Sequence, residues 1–125
     1  MIEIVLVDDE EDWLDITKSL LDSMNLGFKI KKFKNVTEAF NYTLNDEDVD
    51  LIISDYLFPG DITGLDLYYK LLENNFTKNF ILISNSRIPQ DKIKEIVKED
   101  LIYLPKSYLV VKNFFKKHLL ESLVI

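Results

Sequence analysis

The sequence predicts an α/β fold: a doubly wound, five-stranded parallel sheet with helices on both of its faces. Short apolar runs, typical of buried parallel strands, alternate five times with longer segments in which apolar residues recur at helical spacing. Four of the five predicted strands are followed by an acidic, hydroxyl or basic residue, at the position where open parallel sheets bind their ligands. The length of 125 residues suits one domain.

The strands are predicted from short stretches of branched and aromatic apolar residues. The third stretch is too short for a helix, ends close to Asp55, and is followed by a loop that Pro59 and Gly60 mark. The second alternates apolar residues with lysine, which is typical of a strand at a sheet edge. The predicted strands are residues 2–7, 28–33, 51–53, Asn79–Ser84 and 101–104.

Each predicted helix carries one apolar face. Asn35, with Glu38 three residues later, resembles an N-cap, and Gly27 is placed to end the first helix. Pro89 suits the first turn of the fourth helix, and we interpret His118 as a surface or packing residue of the last. The residues that recur at helical spacing are Trp13, Ile16, Leu20 and Met24; Val36, Ala39, Phe40 and Leu44; Leu65, Tyr68, Leu71 and Leu72; Ile93, Ile96 and Val97; and Val111, Phe114, Phe115, His118 and Leu119.

Composition excludes several classes of protein. With 47% apolar and 30% charged residues, the chain is expected to be globular and soluble. The net charge of −7 argues against nucleic-acid binding, which needs clustered lysine and arginine. There is no cysteine for disulfides or thiolate metal sites, and no apolar run reaches the roughly 18 residues of a membrane span. We expect a cytoplasmic protein with no direct contact to nucleic acid or membrane.

Side chains of matching chemistry follow four of the strands: Asp8 and Asp9, then Asp55, Ser84 and Lys106. Three carboxylates in one crevice repel each other and need a cation, and hard oxygen ligands favour Mg²⁺. A lysine and a hydroxyl beside a metal-bound carboxylate suit a phosphoryl group, whose oxygens they would hold. Asp55 would then be the nucleophile that forms an acyl phosphate.

This order of an acidic pair, an aspartate, a serine and a lysine after successive strands resembles the receiver domain of two-component response regulators. The resemblance covers the whole chain. It implies a (βα)5, flavodoxin-like fold. It also implies that Asp55 is the phosphoacceptor, and that Lys106 and Ser84 are the catalytic pair that binds the phosphoryl group.

The same resemblance implies a metal site. Asp9, Asp55 and the backbone carbonyl of Leu57 would bind Mg²⁺ directly, and Asp8 would bind it through water. Mg²⁺ is therefore the expected cofactor of phosphoryl transfer.

The resemblance also implies partners and a switch. The phosphoryl group would come from a phosphohistidine on a sensor histidine kinase or a phosphotransfer protein. Ser84 and Tyr103 match switch positions, through which the face of the fourth and fifth strands and helices would rearrange to bind a downstream protein target. We expect a signalling domain rather than an enzyme: a single receiver domain over residues 1–125, without an output domain, as a monomer or weak dimer.

Three features depart from the usual pattern of that family: two residues and the length of one loop. Ser107 replaces the proline that usually follows the lysine, and Asn85 replaces a small residue. The loop after Pro59 looks one residue longer. Because a cis peptide before a residue other than proline costs roughly 2.5–4 kcal/mol, we predict a trans Lys106–Ser107 bond and Ser107 as N-cap of the last helix. With a trans bond, we expect the loop to hold Lys106 less rigidly. Its ammonium would then lie away from Asp55 until a phosphoryl group draws it in.

Three alternatives come from other functional classes. A phosphatase or phosphomutase with an aspartate nucleophile would carry a second aspartate two residues later, where this chain has Leu57. A phosphorylation-independent binding module would be expected to lack an acid or the lysine. A flavin carrier would need a phosphate-cradling loop where this chain has five acids in a row. The plainer alternatives are that Asp8 and Asp9 only cap the first helix, and that Tyr103 is a core residue.

Overall fold

The computed structural model describes residues 1–46 and 48–123. The strands are β1 (Glu3–Val7), β2 (Lys29–Phe33), β3 (Val49–Asp55), β4 (Leu57–Phe58), β5 (Ile62–Thr63), β6 (Asn79–Ser84) and β7 (Ile102–Pro105). The helices are α1 (Glu11–Asp22), α2 (Val36–Asn45), α3 (Gly64–Glu73), α4 (Gln90–Lys98) and α5 (Tyr108–Leu123). Five strands form one parallel sheet in the order β2-β1-β3-β6-β7. This confirms the predicted fold class.

The sheet separates two hydrophobic cores. Helices α2, α3 and α4 cover one face, and α1 and α5 cover the other. The central strands supply both cores because successive side chains point to opposite faces: Val5 lies in one core and Leu6 in the other. Strands β2 and β7 lie at the edges, and the lysines of β2 are exposed, as predicted for an edge strand. None of the helices in the described part of the chain combines the length and the hydropathy of a membrane span.

Four apolar residues that the periodicity placed on inner helix faces are exposed instead: Ile16, Leu44, Leu72 and Val97. In α1 the buried residues are Leu14, Thr17, Leu20 and Leu21, so the inner face is turned from the predicted row by less than the 100° that separates successive residues. Threonine takes inward positions that an apolar pattern does not reveal, because its hydroxyl bonds within the helix. Thr17 and Thr43 donate to the carbonyl oxygens of Trp13 and Ala39 at 2.9 and 2.8 Å.

The helix boundaries follow local capping chemistry. The side chain of Asn35 accepts a hydrogen bond from the Glu38 N–H at 2.8 Å, which confirms the predicted N-cap of α2. The prediction for Gly27 is wrong, because α1 ends at Asp22 and Gly27 lies in the following loop with φ +69°. Pro89 precedes the first helical residue of α4 as its N-cap.

The loop after β3 forms a small hairpin that the sequence did not predict. Strands β4 and β5 pair antiparallel, and Gly60 and Asp61 turn the chain with φ of +81° and +60°. Thr63 and Asp66 then form a reciprocal capping box that starts α3. The hairpin is therefore fixed at both ends, by β3 and by the start of α3.

Gly64 packs directly against the end of β3. Its N–H donates to the Tyr56 carbonyl oxygen at 2.6 Å. A Cβ added here would lie 2.3 Å from the Asp55 carbonyl oxygen and 2.7 Å from Leu82 Cδ2. Only glycine therefore lets α3 begin this close to the backbone of Asp55.

We predict that Gly64→Ala destabilises the protein by about 2–3 kcal/mol, because overpacking against backbone cannot be relieved by a rotamer change. Chemical denaturation measures this loss. Gly27→Ala is the matched control: its Cβ meets nothing within 4 Å, so only the backbone strain at φ +69° remains, about 1 kcal/mol. Equal losses in the two variants would contradict the packing argument.

Candidate functional site

The strand order brings the polar strand ends to one edge of the sheet. Asp8 and Asp9 follow β1, Asp55 ends β3, Ser84 ends β6 and Lys106 follows β7, and these four strands are consecutive neighbours. After β1 the chain crosses first to β2 on one side and then to β3 on the other. The site lies at this reversal of strand order, which is where open α/β sheets place their ligand crevices.

Three carboxylates converge at this edge. Oxygen atoms of Asp8, Asp9 and Asp55 all lie within 4.8 Å of one another. Asp8 and Asp55 are only 2% and 8% exposed, whereas Asp9 is exposed. Like charges this close oppose each other, and the two buried carboxylates also lose hydration. The arrangement therefore needs positive charge.

Lys106 supplies positive charge from the neighbouring strand end. Its Nζ lies 2.9 Å from Asp8 Oδ2 and 3.6 Å from Asp55 Oδ2, and its side chain is 4% exposed. Burial by itself lowers the pKa of the Lys106 ammonium, but the contacts with Glu10, Asp8 and Asp55 outweigh it, so that the pKa is raised. Lys106 therefore stays protonated inside the site.

The Lys106–Ser107 peptide bond is trans, as predicted. Ser107 precedes α5, and its Oγ accepts a long, weak hydrogen bond from the Val110 N–H at 3.4 Å, in the position of an N-cap. The expected consequence for the ammonium is wrong, since it lies within 3.6 Å of Asp55 rather than away from it. The backbone explains this: the Lys106 N–H donates to the Ser84 carbonyl oxygen at 2.9 Å, which continues the ladder of the sheet.

Backbone amides orient the two buried carboxylates. The Glu10 N–H donates to Asp8 Oδ1, and the Tyr56 N–H donates to Asp55 Oδ1, both at 2.8 Å. The second oxygen of each carboxylate is left to face Lys106. Burial and the neighbouring Asp8 charge raise the pKa of Asp55 to about 6. Burial also raises the pKa of Asp8, although the Glu10 N–H and Lys106 oppose it.

The remaining predicted residues lie around this centre. Ser84 is buried at the end of β6, and its Oγ exchanges hydrogen bonds with the backbone of Ser86. Leu57 begins the hairpin with an exposed side chain. Tyr103, on the edge strand β7, is 38% exposed, so the alternative that it is a core residue is wrong. His118 has a 54% exposed side chain, as expected of a surface residue.

Two residues at the site were missed in the sequence. The side chain of Glu10 forms an ion pair with Lys106, and the ring of Trp13 lies with its centroid 5.6 Å from the same Nζ. Glu10 directly follows the acidic pair, but a run of five acids does not show which of them contacts Lys106. Trp13 was assigned to the helix core by its spacing alone.

The donor set fits a hard divalent cation. The donors are carboxylate oxygens, and they lie close enough together to coordinate one ion. Asp9 is exposed, so an ion can enter from solvent. Asp8, Asp9 and Asp55 are the side chains in the described part of the chain that lie close enough together to share one metal ion.

The raised pKa of Asp55 predicts a pH-dependent cost of folding in metal-free protein. The folded state holds the Asp55 proton up to about pH 6, whereas an unfolded aspartate loses it near pH 3.9, so stability falls as pH rises through this window. The accumulated cost is about 3 kcal/mol above the window. Asp55→Asn should therefore be more stable than wild type at pH 7.5 without metal, and the difference should vanish near pH 4.

Denaturation at both pH values in EDTA measures this, and Mg²⁺ should stabilise wild type more than Asp55→Asn because a cation that binds only the native state favours it. Asp61→Asn removes the same charge from an exposed turn and is the control. If Asp61→Asn and Asp55→Asn were equally stable relative to wild type, general charge relief would replace the local explanation.

Comparison with known proteins agrees with this geometry. A family profile described as the response regulator receiver domain matches residues 4–123. The signal receiver domain of an HD domain-containing protein from Pseudomonas fluorescens Pf-5 is 25% identical, with a TM-score of 0.79 over 98% of this chain and 86% of that chain. Chemotaxis protein CheY4 from Vibrio cholerae is 17% identical, with a TM-score of 0.77 over 99% of each chain.

A third structure is the receiver domain of the histidine kinase CKI1 from Arabidopsis thaliana, solved in complex with Mg²⁺. It is 14% identical, with a TM-score of 0.71 over 92% of this chain and 90% of that chain. No curated protein sequence matches the chain. The family profile spans nearly all described residues, and the chain therefore belongs to the response regulator receiver domains of two-component systems.

Proposed function

We propose that this receiver domain accepts a phosphoryl group on Asp55 and signals by a change in its partner-binding face. The observation that carries the proposal is the pairing of a buried carboxylate with a buried ammonium: Asp55 Oδ2 lies 3.6 Å from Lys106 Nζ, in a crevice with two further carboxylates. A carboxylate alone would repel an anionic phosphoryl donor. The neighbouring ammonium and the cation site offset this repulsion, so that the donor can approach Asp55.

The reaction is an in-line displacement at phosphorus. A carboxylate oxygen of Asp55 forms a bond to the phosphorus, and the bond from phosphorus to the donor breaks, with its electron pair leaving on the donor atom. For a phosphohistidine donor that atom is an imidazole nitrogen, and for acetyl phosphate it is a carboxylate oxygen. The product is an acyl phosphate on Asp55.

The surrounding residues have separate tasks in this proposal. Lys106 and the Ser84 hydroxyl bind the phosphoryl oxygens, which requires the Ser84 Oγ to leave its bonds with Ser86. Asp9, Asp55 and the Leu57 carbonyl would hold Mg²⁺ directly and Asp8 would hold it through water, and the ion would neutralise charge on the transferring group. The Mg²⁺ complex of the CKI1 receiver domain supports this choice of ion.

The partners follow from the family and from the surface of the edge strand. A sensor histidine kinase or phosphotransfer protein would supply the phosphoryl group, and receiver domains of histidine kinases are among the similar structures. Tyr103 is available to act as a switch with Ser84, because it is partly exposed on β7 next to β6.

A hydrolytic enzyme is disfavoured, since Leu57 occupies the position of the second aspartate that such an enzyme needs.

We predict that acetyl phosphate adds one phosphoryl group to the protein, that this requires a divalent cation, and that Asp55→Asn abolishes it. Intact-mass measurement with and without EDTA checks the gain, and its loss on treatment with hydroxylamine identifies an acyl phosphate. Asp61→Asn, a carboxylate outside the site, should gain the mass normally. A phosphoryl group retained by Asp55→Asn, or none on wild type, would refute the proposal.

A further inference from the structure

The carboxylate of Glu10 pairs with a lysine rather than with the helix that it precedes. Glu10 occupies the N-cap position of α1, yet it makes no side-chain capping hydrogen bond. Its carboxylate contacts the Lys106 ammonium instead, across the mouth of the crevice. The Glu10 side chain is 58% exposed, in contrast to the Asp8 side chain on the other side of the ammonium, which is 3% exposed.

We propose that Glu10 is a positioning residue that holds the Lys106 ammonium at the rim of the site and thereby slows phosphoryl acceptance by Asp55. The inference rests on the proposed function of Asp55. Glu10 does not touch the reacting atoms in this account; it acts through Lys106.

The contacts of the ammonium show why a competition arises. An ammonium has three N–H donors, and a hydrogen bond from nitrogen to oxygen requires about 2.7–3.2 Å. Asp8 Oδ2 lies within this range at 2.9 Å and Glu10 Oε1 is closer still, whereas Asp55 Oδ2 is 3.6 Å away. Lys106 is therefore bonded to Asp8 and Glu10 and faces Asp55 without a good bond. These two contacts hold the ammonium 3.6 Å from Asp55, so it must move away from one of them to bond a phosphoryl oxygen on Asp55.

The burial of the two carboxylates decides which of them gives way. Breaking the pair with Asp8 would leave a charge in a nearly closed site, which is costly. Breaking the pair with Glu10 returns an exposed carboxylate to water, which costs little. Lys106 therefore exchanges Glu10 for the phosphoryl group and keeps Asp8. The strength of the Glu10 contact then sets part of the barrier to acceptance.

Two variants separate this contact from the charge of Glu10. Glu10→Gln keeps the length of the side chain and removes its charge. Glu10→Asp keeps the charge but shortens the side chain, and aspartate is a strong N-cap residue, so its carboxylate should turn to the amides of α1. We expect both variants to accept the phosphoryl group about threefold to fivefold faster than wild type, in line with the strength of a partly exposed ion pair.

Glu11→Gln is the matched control. Glu11 is the adjacent residue, its side chain is 67% exposed, and it pairs with Lys34 at 3.0 Å rather than with Lys106. Its removal changes the net charge by the same amount as Glu10→Gln and should leave the rate within about twofold of wild type.

The measurement is the rate of mass gain from acetyl phosphate with saturating Mg²⁺, sampled by rapid quenching and intact-mass analysis across donor concentrations. Faster acceptance in Glu10→Gln and Glu10→Asp, but not in Glu11→Gln, supports the proposal. If Glu10→Asp matches wild type while Glu10→Gln is faster, the effect is one of charge and the proposal is wrong; equal acceleration in Glu11→Gln, or unchanged rates in both Glu10 variants, also overturns it. If wild type itself gains no mass, the function proposed for Asp55 fails and this inference fails with it.

Discussion

The buried ammonium of Lys106 is the interaction on which the rest of the site depends. Two carboxylates, Asp8 and Asp55, are almost fully buried and belong to a group whose oxygens lie within 4.8 Å of one another. Lys106 is the cation that the protein itself places among them. Without a compensating charge, two ionised carboxylates in such a site would take up protons, and Asp55 would lose the charge that makes it a nucleophile.

The fold serves this arrangement in specific ways. The strand order makes β1, β3, β6 and β7 neighbours, so side chains that are far apart in sequence meet at one edge. Gly64 allows α3 to begin against the backbone of Asp55, and the Ser84 carbonyl holds the backbone of Lys106 by one more hydrogen bond of the sheet ladder. The site is therefore supported by backbone contacts as well as by side chains. Its rim, which includes Asp9 and Glu10, is left to solvent.

Most of the fold and the centre of the site could be predicted from the sequence, because buried parallel strands and their polar ends are local patterns. The inward threonines Thr17 and Thr43 could not, since their burial depends on hydrogen bonds inside the helix. Glu10 could not be distinguished within five consecutive acids, because its role depends on a lysine 96 residues away. The position of the Lys106 ammonium was mispredicted because the sequence does not show that the Lys106 N–H continues the sheet ladder to the Ser84 carbonyl oxygen.

Substitution of Lys106 by methionine tests the central claim most directly, because methionine keeps much of the side-chain volume and removes the charge. In metal-free protein at pH 7.5, the account predicts a loss of unfolding free energy of about 3–5 kcal/mol, since a buried ion pair is broken on one side only. Saturating Mg²⁺ should restore part of it. Lys32→Met, which breaks the exposed pair with Asp15, should cost less than about 1 kcal/mol. Equal losses in the two variants, neither changed by Mg²⁺, would contradict the account.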